Sequence, residues 1–161
     1  MRERASNVDL IKIKAIADYL FGRGAGEALL RGEVVEIVRS KRTGRIREVY
    51  VDGVLVATIR ATDGFLLPTI EGAKKLILSG NYRKVVVVPN DVGEYVARGR
   101  TLFAKHILKA DPEIRAGEEV IVVNENGKVI AVGRAKLTGI EMMKARRGVA
   151  VKIRRGILQG R

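Results

Sequence analysis

Apolar positions recur along this chain with two different periods, and the changes of period divide it into segments. Over residues 7–21, Leu10, Ile13, Ala17 and Leu20 follow helical spacing with Ile16 beside them, while Lys12, Lys14 and Asp18 fall on the other side. The spacing predicts a helix, capped at its start by Asn7 or Asp9 and ended by Gly22 in the left-handed conformation. The next stretch, Gly22-Arg23-Gly24-Ala25-Gly26-Glu27, follows a helix rather than a strand and lacks the Lys-Ser/Thr of a phosphate loop. It reads as a loop of flexible backbone and not as a nucleotide site. From Gly32 the period becomes two. Residues 33–39, 46–51 and 54–60 are β-branched runs parted by Lys41-Arg42-Thr43-Gly44 and by Asp52-Gly53, which predicts a three-stranded antiparallel meander. After the turn at Asp63-Gly64, Pro68-Thr69 opens a helix with Ile70, Ala73, Leu76 and Ile77 on one face, and Gly80-Asn81 ends it.

That helix stop sets the expected boundary between an α+β domain over residues 1–80, an antiparallel sheet with helices, and a second domain over residues 81–161. The second opens on the buried-strand pattern Val85-Val86-Val87-Val88. Asp91 and Glu94 form an Asp-headed capping box for a two-turn helix whose Val92, Tyr95 and Val96 face inward and which Gly99 terminates. Thr138 and Glu141 form a second box, and Gly148 stops the short helix it begins. Between and after these lie short runs of Val and Ile separated by turns, the signature of a small barrel or sandwich.

Composition narrows the chemistry. Hydrophobic residues make up 47% of the chain but aromatics only 4%, so the core is built from aliphatic side chains. There is no cysteine, which excludes disulfides and cysteinyl zinc sites, and the single histidine, His106, does not make a metal site alone. No cofactor is expected. The carboxylates have local duties at caps and turns, and no Ser/His/Asp or paired-carboxylate arrangement stands out, so catalysis is not expected either. No apolar run reaches membrane length and the start, Met1-Arg2-Glu3-Arg4, carries both signs of charge; the expectation is a soluble, cytoplasmic protein without a membrane partner. High charge without Cys or Trp leans towards a thermophile.

The net charge of +13 changes the picture most. Residues 1–80 carry 14 Lys and Arg against 10 Asp and Glu, and residues 81–161 carry 17 against 8, so +9 of the excess lies in the second domain. A basic domain of this kind points to a polyanion, most often nucleic acid; the bland alternative is charge kept for solubility. In the first domain Lys41, Arg42, Arg45 and Arg47 crowd at one hairpin tip, either as a phosphate-binding prong or as a solvated strand end that discourages edge pairing.

Several spaced elements together resemble a known module. Val85-Val86-Val87-Val88, Ala104-Lys105-His106, Arg115-Ala116-Gly117-Glu118-Glu119, Asn126-Gly127, Val132-Gly133-Arg134-Ala135 and Arg147-Gly148-Val149-Ala150-Val151 come in the order of the PUA domain, an RNA-binding pseudobarrel. Upstream, Ala17-Asp18-Tyr19-Leu20-Phe21-Gly22-Arg23-Gly24 and Ser40-Lys41-Arg42-Thr43-Gly44-Arg45 are similar to the accessory domain that precedes PUA in archaeal tRNA-guanine transglycosylase and its archaeosine-synthase relatives. The resemblance implies the C-terminal RNA-recognition arm of that family, standing alone. The family's base exchange takes place in a (β/α)₈ barrel of about 250 residues, for which this chain has neither length nor ligands. The implied partner is structured RNA, above all the acceptor stem and 3′ end of tRNA, with a separately encoded transglycosylase or other modification enzyme as a candidate companion. Ribosome biogenesis, translation and protein docking without RNA are the competing roles. By position, the PUA likeness implicates Gly99, Arg100, Phe103, Ala104, Lys105 and His106, together with Lys152 and Arg154, as RNA-facing residues.

Overall fold

The computed structural model describes residues 1–80 and 82–159; the helix stop expected at Asn81 lies outside them. The chain divides into two compact units, Met1–Tyr82 and Arg83–Arg161.

In the first unit the order is β1 (Glu3–Arg4), α1 (Asn7–Phe21), α2 (Ala25–Leu30), β2 (Val35–Arg39), β3 (Ile46–Val51), β4 (Val54–Ile59), β5 (Leu66–Pro68) and α3 (Ile70–Leu78). The expected meander β2-β3-β4 is present, and the short strands β1 and β5 extend it at both edges to a five-stranded antiparallel sheet. Asp52 and Gly53 both take positive φ (48° and 82°) in the tight β3–β4 turn, and the Asp52 carboxylate also accepts the Glu33 and Val34 N–H groups.

Helix α1 spans the expected residues, but neither Asn7 nor Asp9 is its N-cap. Ser6 is the N-cap and Asp9 completes a capping box, with Ser6 N–H donating to Asp9 (2.9 Å) and Asp9 N–H donating to the Ser6 hydroxyl (3.1 Å). Gly22 does end the helix with a positive φ of 106°, but its ψ of 161° is extended rather than left-handed helical. The glycine-rich stretch is not all loop: α2 starts at Ala25. Gly26 donates its N–H to Asp18 (2.8 Å), and a Cβ there would lie 2.5 Å from Lys14 Cα, so the missing side chain lets α2 press on the backbone of α1. Lys75 of α3 caps the far end of α2 by donating to the carbonyls of Leu29 (3.3 Å) and Arg31 (2.5 Å); burial lowers the pKa of its ammonium. Thr69 caps α3, whose Gly72 sits so close to the Val56 carbonyl that a Cβ would overlap it.

The second unit runs β6 (Val85–Val87), α4 (Asn90–Ala97), β7 (Leu102–Phe103), a 3₁₀ turn (Ala104–His106), β8 (Lys109–Ala110), β9 (Glu119–Val123), β10 (Val129–Ala135), α5 (Gly139–Lys144) and β11 (Val149–Gly156). A curled sheet of order β7-β11-β10-β9-β6-β8 results, antiparallel except for the β6–β9 pair. Its interior is aliphatic, including Val86, Val96, Leu102, Ile114, Val122 and Val151 with Met142 from α5. Register slips once between β10 and β11: Gly133 faces Ile153 while Val132 faces Arg155, which leaves Arg154 as the extra residue of a bulge.

Three expectations for this unit are corrected. Asp91 and Glu94 do not form a capping box, because α4 begins at Asn90 behind Pro89; the Asn90 N–H is taken instead by the Glu125 carboxylate (3.0 Å), from the turn between β9 and β10. Tyr95 points outward, 60% exposed, leaving Gly93, Val96 and Ala97 as the buried residues of α4. The box at Thr138 and Glu141 is as expected, with Thr138 N–H to Glu141 at 2.9 Å and Glu141 N–H to the Thr138 hydroxyl at 3.1 Å. Helix α5 is over by Ala145, and Gly148 (φ 97°) belongs to the turn into β11.

Candidate nucleic-acid interface

The hairpin tip of the first unit is held by one guanidinium. Arg39, at the end of β2, donates from Nε to Glu3 (2.9 Å), from Nη2 to both oxygens of Asp9 (2.8 Å each) and from Nη1 to the Gly44 carbonyl (3.3 Å). A strand end, a helix start and a turn are thus tied to a single planar fork. Burial by itself pushes the Asp9 carboxyl up, but the Ser6 N–H, the Ser6 hydroxyl and the Arg39 guanidinium together bring it below the usual carboxylate value. The Glu3 and Asp9 carboxylates in turn raise the pKa of Arg39. The turn itself is closed by backbone bonds, with Gly44 N–H to the Ser40 carbonyl (2.8 Å) and Ser40 N–H to the Arg45 carbonyl (2.8 Å), and Gly44 supplies the φ of 72°. Around this braced turn Lys41, Arg42, Arg45 and Arg47 are all exposed, and no ion pair engages their side chains among the described residues.

In the second unit the segment after α4 lies against the start of β11. The N–H groups of Arg98 and Gly99 donate to Tyr95 and Val96, and Gly99 (φ 89°) turns the chain in the left-handed conformation. Phe103 pairs with Val149, Leu102 with Val151, and the Ala104 N–H donates to the Gly148 carbonyl (3.0 Å). Arg100, Lys105, His106 and Lys152 are exposed, and Phe103 is 44% exposed. The remaining two of the expected residues behave differently. Ala104 is buried in the core, so it offers only backbone, and Arg154 is committed to an ion pair with the buried carboxylate of Glu119. The structure therefore joins Gly99–His106 to β11 within one unit, while the hairpin cations belong to the other.

Two residues escaped the sequence. Arg39 is invisible as an organiser because its partners are 30 and 36 positions away. Arg134 is the single exposed residue of β10, whose other six are buried, and it stands directly opposite Lys152. A lone charge in an otherwise apolar strand is the signal that would have found it. Among the described residues no group of three or more His, Cys, Asp or Glu could hold a metal ion, and no buried side-chain polar atom is left unpartnered. No helix among them is long and apolar enough to cross a membrane.

Comparison with known proteins agrees with this division. Residues 12–84 match the patch-forming domain C2 of tRNA-guanine transglycosylase, and residues 84–157 match the PUA domain. The tRNA-guanine(15) transglycosylase of Methanobrevibacter smithii is 43% identical over 155 residues, which is 96% of this chain and 23% of that protein. The enzyme of the same name from Pyrococcus furiosus is 47% identical over 149 residues, or 92% of this chain and 25% of that one. The chain thus spans about a quarter of the length of these curated relatives. Among solved structures, a hypothetical protein of Pyrococcus horikoshii superposes with a TM-score of 0.79 at 24% identity, covering 99% of this chain and 96% of its own. A PUA domain protein of Thermoplasma acidophilum does so with a TM-score of 0.69 at 24% identity, covering 97% and 93%. Taken with the two sheets described above, these matches make the chain a tandem of the transglycosylase-type patch-forming C2 domain and a PUA domain.

Proposed function

We propose that this chain is a tRNA-recognition module of a tRNA-modification system, binding the acceptor stem and 3′ end without catalysing the modification itself. What carries the proposal is the pairing of the two domains with their charge. A C2 domain and a PUA domain shared with enzymes named tRNA-guanine(15) transglycosylase make up almost all of a chain with a net charge of +13. The exposed cations at Lys41, Arg42, Arg45 and Arg47, and those at Arg100, Lys105 and Lys152, are suited to phosphates. A-form RNA presents backbone and 2′-hydroxyls rather than readable major-groove edges, so recognition rests on shape and on the unpaired terminal bases. Half-exposed Phe103 offers a stacking face, whereas the space left by the missing side chain of Gly99 is taken by Gln159. The base exchange itself is left to a catalytic domain outside residues 1–161.

The test is a binding titration with unfractionated tRNA across a salt series, alongside ribosomal RNA and tRNA trimmed of its 3′ end. Affinity for intact tRNA that falls linearly in log–log with salt, and weakens on trimming, supports the proposal. Equal binding of ribosomal RNA would move the role to ribosome biogenesis or translation. Absence of RNA binding at low salt would leave a protein-docking module.

A further inference from the structure

Two cations without an ion-pair partner among the described residues stand opposite each other on β10 and β11 of the second unit's sheet. Reading across the strands at one level, Glu119 of β9 faces Arg134 of β10, and Arg134 faces Lys152 of β11. Like charges directly opposite one another on antiparallel strands repel. Glu119 is the carboxylate placed to relieve Arg134, but Arg154 has taken it. The bulge is what makes this possible, since the β10–β11 register steps from Ile153 to Arg155 and skips Arg154. Neither Arg134 nor Lys152 has an ion-pair partner among the described residues, and both are exposed. The Arg134 guanidinium lies over Gly117, with Nη2 3.8 Å from where a Cβ would be, so no side chain stands beside it there. Leu102 pairs with Val151, which places the Arg100–Thr101 segment at the end of β11 that carries Lys152.

We infer that Arg134 and Lys152 form a phosphate-binding pair, which the Glu119 carboxylate, engaged by Arg154, does not neutralise. The ligand is a phosphodiester of the RNA backbone, so this inference rests on the RNA-binding role proposed above and extends it from the loop after α4 onto the face of β10. A bridging phosphate turns the repulsion between the two cations into attraction to a shared anion. The side chains are therefore kept for binding at the expense of the unliganded fold.

The full chain carrying Arg134→Gln, Lys152→Gln or both is titrated with unfractionated tRNA over a salt series, and its melting temperature is recorded without RNA. Lys128→Gln, an exposed cation of the β9–β10 turn, serves as a control of equal charge loss. Each of the first two substitutions should shallow the slope of log affinity against log salt by about one and the double by about two. The melting temperature should hold or rise by about 1–2 °C as the repulsion is removed. Unchanged tRNA binding by Arg134→Gln, an equal loss in Lys128→Gln, or a marked fall in melting temperature would each overturn the pair. A wild-type chain that does not bind tRNA at all would overturn the RNA-binding role itself, and the pair with it.

Discussion

The two cationic regions are built on opposite plans. In the first unit the exposed charges sit on a turn, and the turn is braced from behind by Arg39, whose own charge is answered by Glu3 and Asp9. In the second they sit on the sheet, where strand register fixes their spacing and the nearby carboxylate is diverted to Arg154. A turn can be reshaped by its ligand within the limits of its brace. A pair of strands fixes the separation of its Cα atoms whether or not a ligand is present. The hairpin is thus suited to following a backbone whose path varies, and the strand pair to gripping one phosphate position.

The largest expected effects come from the frames rather than the charges. Alanine at Gly139 would place a Cβ inside the Asp111 carbonyl, and alanine at Gly72 would do the same at Val56. Each should cost about 3 kcal/mol in its own unit. Amide exchange resolved by unit should show loss of protection confined to the mutated half; loss throughout both would show that they do not unfold independently.

Next is the brace. Asp9→Ala removes the capping-box partner and the bidentate acceptor of Arg39, and should cost about 1–2 kcal/mol by chemical denaturation. Its acid dependence gives the sign. The folded pKa of Asp9 lies below its unfolded value, so its contribution is complete above about pH 4 and is lost as pH falls through the folded value. Asp9→Asn should flatten the stability of the first unit between pH 5 and pH 2, in the range where wild type weakens (about one carboxylate's worth). An identical acid profile in both proteins would remove Asp9 from that role.

Smaller again are the charges themselves. Lys41→Ala with Arg42→Ala should shallow the salt slope of tRNA binding by up to about two, with stability changed by about 0.5 kcal/mol or less. Arg100→Ala and Lys105→Ala should each remove about one. If the hairpin pair is silent while the second unit's cations respond, the brace serves the fold alone.

How far the sequence reveals this depends on the range over which each signal acts. The meander, α1, α3 and the Thr138 cap are legible because alternation, helical spacing and capping boxes are local. Strands β1 and β5 are two and three residues long, too short for a period, and exist only because a neighbour's edge is there to pair with. Helix α2 is hidden by the glycines at and before its start, of which Gly26, a poor helix former in isolation, permits the packing on Lys14. The Asp91–Glu94 spacing misleads because Pro89 starts the helix a residue early. For the site, the cations are plain in the sequence, but which of them remain unpaired is decided by contacts between residues far apart. Arg154 reaches back 35 positions to Glu119, and so is held in an ion pair within the fold.

Helix α4 illustrates a last consequence of such distance. Its first amide is held by Glu125, a residue borrowed from a hairpin turn 35 positions later. The two segments therefore fray as one: motion of that turn loosens the helix, and the helix carries the loop from Gly99 to His106 behind it. Inserting a single residue between Asn124 and Lys128 should speed deuterium uptake at Asn90 as well as in the turn, making a remote loop the tuning screw of this surface.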